Sequence, residues 1–134
     1  MIVVDTSAWV ELLRKTGSRV HLGLRRRIEE RAELAVTEVV VAELLAGARS
    51  DQERGELRSM LLGFPLLSLW GLDAYEAAVD LFRSCRVAGD PIRHLTDCLV
   101  AVPAIHAGAT LLAVDRDFET LARHSPLRLE PLDV

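Results

Sequence analysis

The chain is 134 residues long, and 16 basic against 20 acidic side chains leave a formal charge of −4. That length suits one compact domain spanning 1–134, and with half its residues hydrophobic the chain can bury a core without disulfides or a structural metal. Two cysteines, Cys85 and Cys98, are too few for a secreted disulfide scaffold and fit a reducing cytoplasm. The longest uncharged apolar stretch, 98–114, is interrupted by Pro103, His106 and Gly108, so it reads as a buried helix followed by a strand and not as a membrane span. Asp5 breaks the first apolar run at once, and no signal peptide is visible. A net acidic protein does not grip nucleic acid by bulk charge. Lys15 is the single lysine among the cations, and a GC-rich genome explains an arginine excess as well as phosphate binding does.

Ile2-Val3-Val4 is apolar at every position, as a strand buried on both faces of a parallel sheet requires, and Asp5-Thr6-Ser7 offers capping side chains for a helix carrying Trp9, Val10, Leu12 and Leu13. Thr16-Gly17-Ser18 interrupts that helix, and a second runs from Ser18 to Arg31 with arginines on its polar face. Leu34-Ala35-Val36 reads as a strand, with Thr37 capping a helix that starts at Glu38 and stops near Gly47. Another helix covers about 51–62, and 65–69 looks like a third strand. Ala74, Ala77, Ala78, Leu81, Phe82 and Cys85 fall on one helical face, which Gly89 ends. A helix from about His94 to His106, a strand at 109–114, a short helix at 115–123 and a strand at 127–129 complete the chain. Strands alternating with helices predict an α/β domain with a mostly parallel sheet of four to five strands.

Four acids stand out by position. Asp5 and Asp115 each end a predicted strand, where open parallel sheets bind ligands, although Asp is also a good helix N-cap and a helix follows both. Glu43 lies in Val39-Val40-Val41-Ala42-Glu43-Leu44-Leu45-Ala46-Gly47, where an unpaired buried carboxylate would cost several kcal/mol. It must therefore reach water, a cation or a donor. Asp97 heads the apolar run 98–102, and near a helix N-terminus the dipole alone can favour it. If the four converge they repel, and a hard divalent cation such as Mg²⁺ or Mn²⁺ resolves the repulsion.

In chain order, Val4-Asp5-Thr6-Ser7-Ala8-Trp9, Val41-Ala42-Glu43-Leu44-Leu45-Ala46-Gly47, Asp97-Cys98-Leu99-Val100-Ala101 and Ala113-Val114-Asp115-Arg116-Asp117-Phe118 resemble the PIN-domain family, and within it the VapC-like toxin ribonucleases of type II toxin–antitoxin pairs. The resemblance implies a PIN-like three-layer α/β/α fold and a Mg²⁺- or Mn²⁺-dependent endoribonuclease. Such an enzyme hydrolyses RNA phosphodiester bonds with metal-activated water, leaving a 5′-phosphate and a 3′-hydroxyl. It maps the family's catalytic and metal-binding acids onto Asp5, Glu43, Asp97 and Asp115, with Asp117 as a further metal ligand or water-orienting group. Thr6 and Ser7 either hold water or cap the helix, and Arg116 either touches phosphate or neutralises its flanking acids. It also implies a homodimer and a cognate VapB-like antitoxin, with Trp9, Val10 and Leu13 as a candidate contact surface.

Two departures from the family pattern bear on Asp97. Pro103 removes a hydrogen bond and is expected to kink the helix beyond it, and His94 stands where a small hydroxyl residue is common. His94 and Cys98 have the spacing of a metal pair but lack companions, so a core thiol and a partly exposed imidazole are expected. No Gly-x-Ser-x-Gly elbow or phosphate-cradling glycine loop is present. Two alternatives remain: a catalytically inactive PIN-like interaction module whose acids cap helices or bind arginine, and a receiver-like phosphoacceptor. The second would need an early acidic pair, a mid-chain acceptor Asp and a late lysine, none of which is seen.

Overall fold

The computed structural model describes residues 1–132. Its elements are β1 (Ile2–Val4), α1 (Thr6–Leu13), α2 (Arg19–Glu29), β2 (Leu34–Thr37), α3 (Glu38–Ala46), α4 (Asp51–Leu61), β3 (Leu66–Leu67), α5 (Leu72–Val87), α6 (Leu95–His106), β4 (Thr110–Leu112), α7 (Asp117–Arg123) and β5 (Arg128–Leu129). The five strands form one sheet in the order β3-β2-β1-β4-β5, and every pair is parallel. The helices pack as two groups, α1 to α4 and α5 to α7, which touch where α3 meets α6. Right-handed crossovers place such groups on opposite faces, which makes the three-layer α/β/α sandwich.

Local chemistry explains most boundaries. Asp5, Ser18, Thr37 and Ser50 each accept a backbone N–H with the side chain and so start α1, α2, α3 and α4. The predicted strands at 65–69 and 109–114 shrink to two and three residues. β3 lies at the sheet edge with Leu66 exposed, so only its pairing with Val36 and Thr37 defines it. The core gathers Val3, Val4, Val36, Leu111 and Leu112 from the sheet with Trp9, Leu24, Val40, Val100 and Phe118 from the helices. No helix among the described residues is long and apolar enough to cross a membrane.

One sequence expectation is corrected here. Trp9 is fully buried, with its ring 5.5 Å from that of Phe64, so it cannot form part of a contact surface. It sits one turn into α1, and its size makes burial worth more than exposure. Leu13 at the end of the same helix is 41% exposed and remains available.

The sheet order places the interesting end of the molecule. The chain moves outward from β1 to β2 and β3, then returns to the other side of β1 to lay down β4 and β5. Between β1 and β4 the connections therefore diverge, and their carboxyl ends leave the crevice where open α/β sheets bind ligands.

Candidate active site

Asp5 leaves β1 at that crevice. Its backbone N–H donates to the Leu112 carbonyl at 2.9 Å, which locks it beside the end of β4. Its Oδ2 accepts the Ser7 backbone N–H at 3.0 Å and the Ser7 hydroxyl at 2.6 Å. The Ser7 Oγ in turn accepts the Val114 N–H at 3.0 Å. Asp5 is thus both a helix cap and a crevice carboxylate. Burial raises its pKa and the nearby Glu43 adds to this, while the Ser7 bonds pull it down.

Glu43 projects from α3 and is exposed. Thr6 donates its hydroxyl to Glu43 Oε1 at 2.8 Å, tying α3 to the first residue of α1. Of the three outlets the sequence allowed for this carboxylate, it uses water and a hydroxyl donor.

Asp97 sits in the first turn of α6, half-buried, and its Oδ2 is fully buried with no hydrogen-bond partner. Its pKa is pushed up to about 7, first by burial and then by the charges of Asp115, Asp5, Asp117 and Glu43. The other four carboxylates therefore all act on Asp97. α6 continues through Pro103 to His106 as one helix, and Asp97 stays among the other acids.

Asp115 and Asp117 follow β4 at the start of α7. Asp115 Oδ1 accepts the Asp117 N–H at 2.9 Å. Arg93, from the loop before α6, donates NH2 to Asp115 Oδ1 and Nε to Asp117 Oδ2, each at 3.0 Å. Its backbone N–H also reaches Asp117 Oδ2 at 3.3 Å. Those partners raise the Arg93 pKa, the Asp117 hydrogen bond most. Arg93 escapes a reading of the sequence, since its two partners lie 22 and 24 residues downstream and no local spacing links them. Arg116, for which the sequence leaves open contact with phosphate or neutralisation of its flanking acids, is exposed and has no side-chain partner among the described residues. A second unexpected member is His94, with one ring nitrogen within 4.8 Å of a carboxylate oxygen of both Asp97 and Asp117.

The five acids face one guanidinium, so the crevice keeps a surplus of negative charge. Together with the unpartnered buried oxygen of Asp97, a donor set made mostly of carboxylates fits a hard divalent cation. A groove of about 270 Å³ runs from Thr6 and Glu43 along α1 and α4, past Val10, Leu13, Arg14 and Arg49.

Residues 2–124 match the PIN domain family model. VapC ribonuclease Mb1587 of Mycobacterium bovis and ribonuclease VapC11 of Mycobacterium tuberculosis are each 39% identical to the chain over 129 residues, covering 96% of it and 96% of the relative. Among solved structures, VapBC2 of Rickettsia felis bound to a promoter DNA fragment superposes with a TM-score of 0.74 at 21% identity, covering 97% of this chain and 98% of that one. With a family model spanning most of the chain and relatives well above 30% identity, the chain belongs to the PIN-domain family, on its VapC-like branch.

Proposed function

We propose that the protein is a metal-dependent endoribonuclease, the toxin of a toxin–antitoxin pair, with its site at Asp5, Glu43, Asp97, Asp115 and Asp117. One observation carries this reading: Asp97 keeps a buried, unpartnered Oδ2 while it feels the charges of Asp115, Asp5, Asp117 and Glu43, at the topological switch point of a parallel sheet. Relatives 39% identical along nearly the whole chain are named as ribonucleases, and VapC20 of Mycobacterium tuberculosis, of similar fold, is described as a sarcin-ricin loop cleaving toxin.

Asp5, Glu43, Asp97 and Asp115 would hold Mg²⁺ or Mn²⁺, with Asp117 completing the set. When bound, such an ion polarises the scissile phosphate and acidifies water. The chain's part is orientation. Ser7 fixes the Asp5 carboxylate, Thr6 aims Glu43, and Arg93 holds the Asp115–Asp117 pair. Asp97, its pKa pushed up to about 7, would give up its proton to hold such a cation. Arg14 and Arg49 line the groove leading to the acids, where cations can steer the RNA backbone. The partners proposed are RNA, a second copy of the chain and a VapB-like antitoxin, with the exposed Leu13 and half-buried Val10 at the groove wall as contact points.

The test is cleavage of end-labelled structured RNAs by the purified chain with Mn²⁺ or Mg²⁺ against EDTA, beside an Asp97→Asn preparation. Metal-dependent cutting that vanishes in the variant supports the reading. A second reading, an inactive PIN-like interaction module, draws on the Arg93 ion pairs, which show these acids already binding an arginine. Absence of cutting together with absence of metal binding by calorimetry would favour it.

A further inference from the structure

His94 is the residue that the carboxylate site does not account for. It occupies the N-cap of α6, a position where Ser, Thr, Asp or Asn usually bonds the first free N–H groups, yet it makes no capping bond. Its imidazole is exposed, and the structure gives it no packing role. Instead a ring nitrogen and one oxygen each from Asp97 and Asp117 lie within 4.8 Å of one another. Around a six-coordinate ion with ligands about 2.1 Å away, opposite ligands sit roughly 4.2 Å apart and neighbouring ones roughly 3.0 Å, so the three atoms reach one ion by drawing inward by an ångström or so through side-chain rotation. The second pointer is Asp97 Oδ2, buried without a partner in the same cluster. Arg93 engages only one of the two Asp117 oxygens.

We propose that His94 is a direct ligand of the divalent ion alongside Asp97 and Asp117, and that its imidazole biases the site toward Mn²⁺ over Mg²⁺. The inference rests on the metal-dependent reading above and adds the choice of ion. Mg²⁺ prefers oxygen and water, whereas imidazole nitrogen suits the transition ions, Mn²⁺ the weakest among them. A nitrogen donor among carboxylates leaves Mg²⁺ affinity almost untouched and adds to that of Mn²⁺.

The test uses the full chain with Mn²⁺ and Mg²⁺ as the probes, comparing wild type, His94→Ser and, as a control at the far end of α6, His106→Ser. Serine is a good N-cap, so His94→Ser keeps the helix start intact and removes only the imidazole. Calorimetry is expected to show about a tenfold loss of Mn²⁺ affinity in His94→Ser, with Mg²⁺ changed by less than about twofold. Pulsed electron spin resonance of bound Mn²⁺ is expected to show ¹⁴N coupling in wild type and His106→Ser, and none in His94→Ser. Unchanged Mn²⁺ affinity, or Mn²⁺ without ¹⁴N coupling, would overturn the proposal and leave the carboxylate site standing. Equal losses for both ions would also overturn it, since His94 would then act through the acids. Wild type binding neither ion would overturn this inference and the nuclease reading together.

Discussion

Arg93 Nε donates to Asp117 Oδ2 at 3.0 Å while its NH2 reaches Asp115 Oδ1 at the same distance, so one guanidinium spans the two acids that follow β4. It is the only cation paired with the crevice carboxylates among the described residues. An arginine in that place competes with a metal for the charge of the same carboxylates. Arg93→Ala is therefore expected to raise divalent-ion affinity by about threefold to tenfold, since an exposed pair is weak. In EDTA the variant should melt slightly below wild type, with the deficit closing in saturating Mn²⁺. Thermal melts with and without the ion read both effects.

Asp97 carries the clearest pH dependence. Its folded pKa of about 7 lies above the ordinary 3.8, so the native chain keeps a proton that the unfolded chain releases between those values. Stability contributed by this group therefore falls as pH rises from about 4 to 7, and the full penalty applies above that. Asp97→Asn removes the penalty. In EDTA the variant should gain on the order of 2 kcal/mol at pH 8, after discounting for partial exposure, and nothing at pH 4. Urea unfolding at the two values measures the difference. Cleavage by the same variant should fall about a thousandfold or more. Lower stability of Asp97→Asn at pH 8 would count against the crowding of acids described here.

Ser7 and Thr6, adjacent in sequence, should separate by phenotype. Ser7 bridges Asp5 and the Val114 N–H, linking the ends of β1 and β4. Ser7→Ala leaves Val114 N–H without that acceptor and takes the hydroxyl donor, though not the backbone N–H of residue 7, from Asp5, at a cost of about 1–3 kcal/mol by chemical denaturation. It should also lift the Asp5 pKa further, because the hydroxyl bond now lowers it. The Thr6 hydroxyl bonds only the exposed Glu43. Thr6→Val should change stability by less than about 0.5 kcal/mol and act mainly on cleavage.

The loop that carries Arg93 and His94 is tied down at Asp90. Asp90 Oδ2 accepts Arg123 NH2 at 2.8 Å and contacts His124 Nε2 at 3.1 Å, and these bonds hold its pKa below the ordinary value, the Arg123 bond most. A lowered carboxylate pKa gives stability that is present above about pH 4 and lost as pH falls through the folded value. Asp90→Asn is expected to free the loop at neutral pH, with amide exchange over 91–96 several times faster while the strands keep wild-type protection. Unchanged exchange at 91–96 would show that the loop is held elsewhere.

Local spacing and burial make part of this molecule legible from residue order. Asp5 and Thr37 announce helix starts because a cap bonds an N–H two or three residues away. The 74–85 face of α5 is legible because its apolar period is helical, and β1 because every side chain in it is apolar. Asp5, Glu43, Asp97 and Asp115 were visible as acids set against apolar runs. Tertiary structure alone decided what they meet. Laying β4 beside β1 brings residues around 115 next to Asp5, and the α5–α6 loop then swings Arg93 and His94 onto them. Arg116, flanked by the same acids in sequence, points to solvent, while Trp9 turns inward from a helix that borders the surface. Neighbours in the chain share a backbone, but which side chains touch is set by strand order and helix rotation, and those follow from burying the whole core at once.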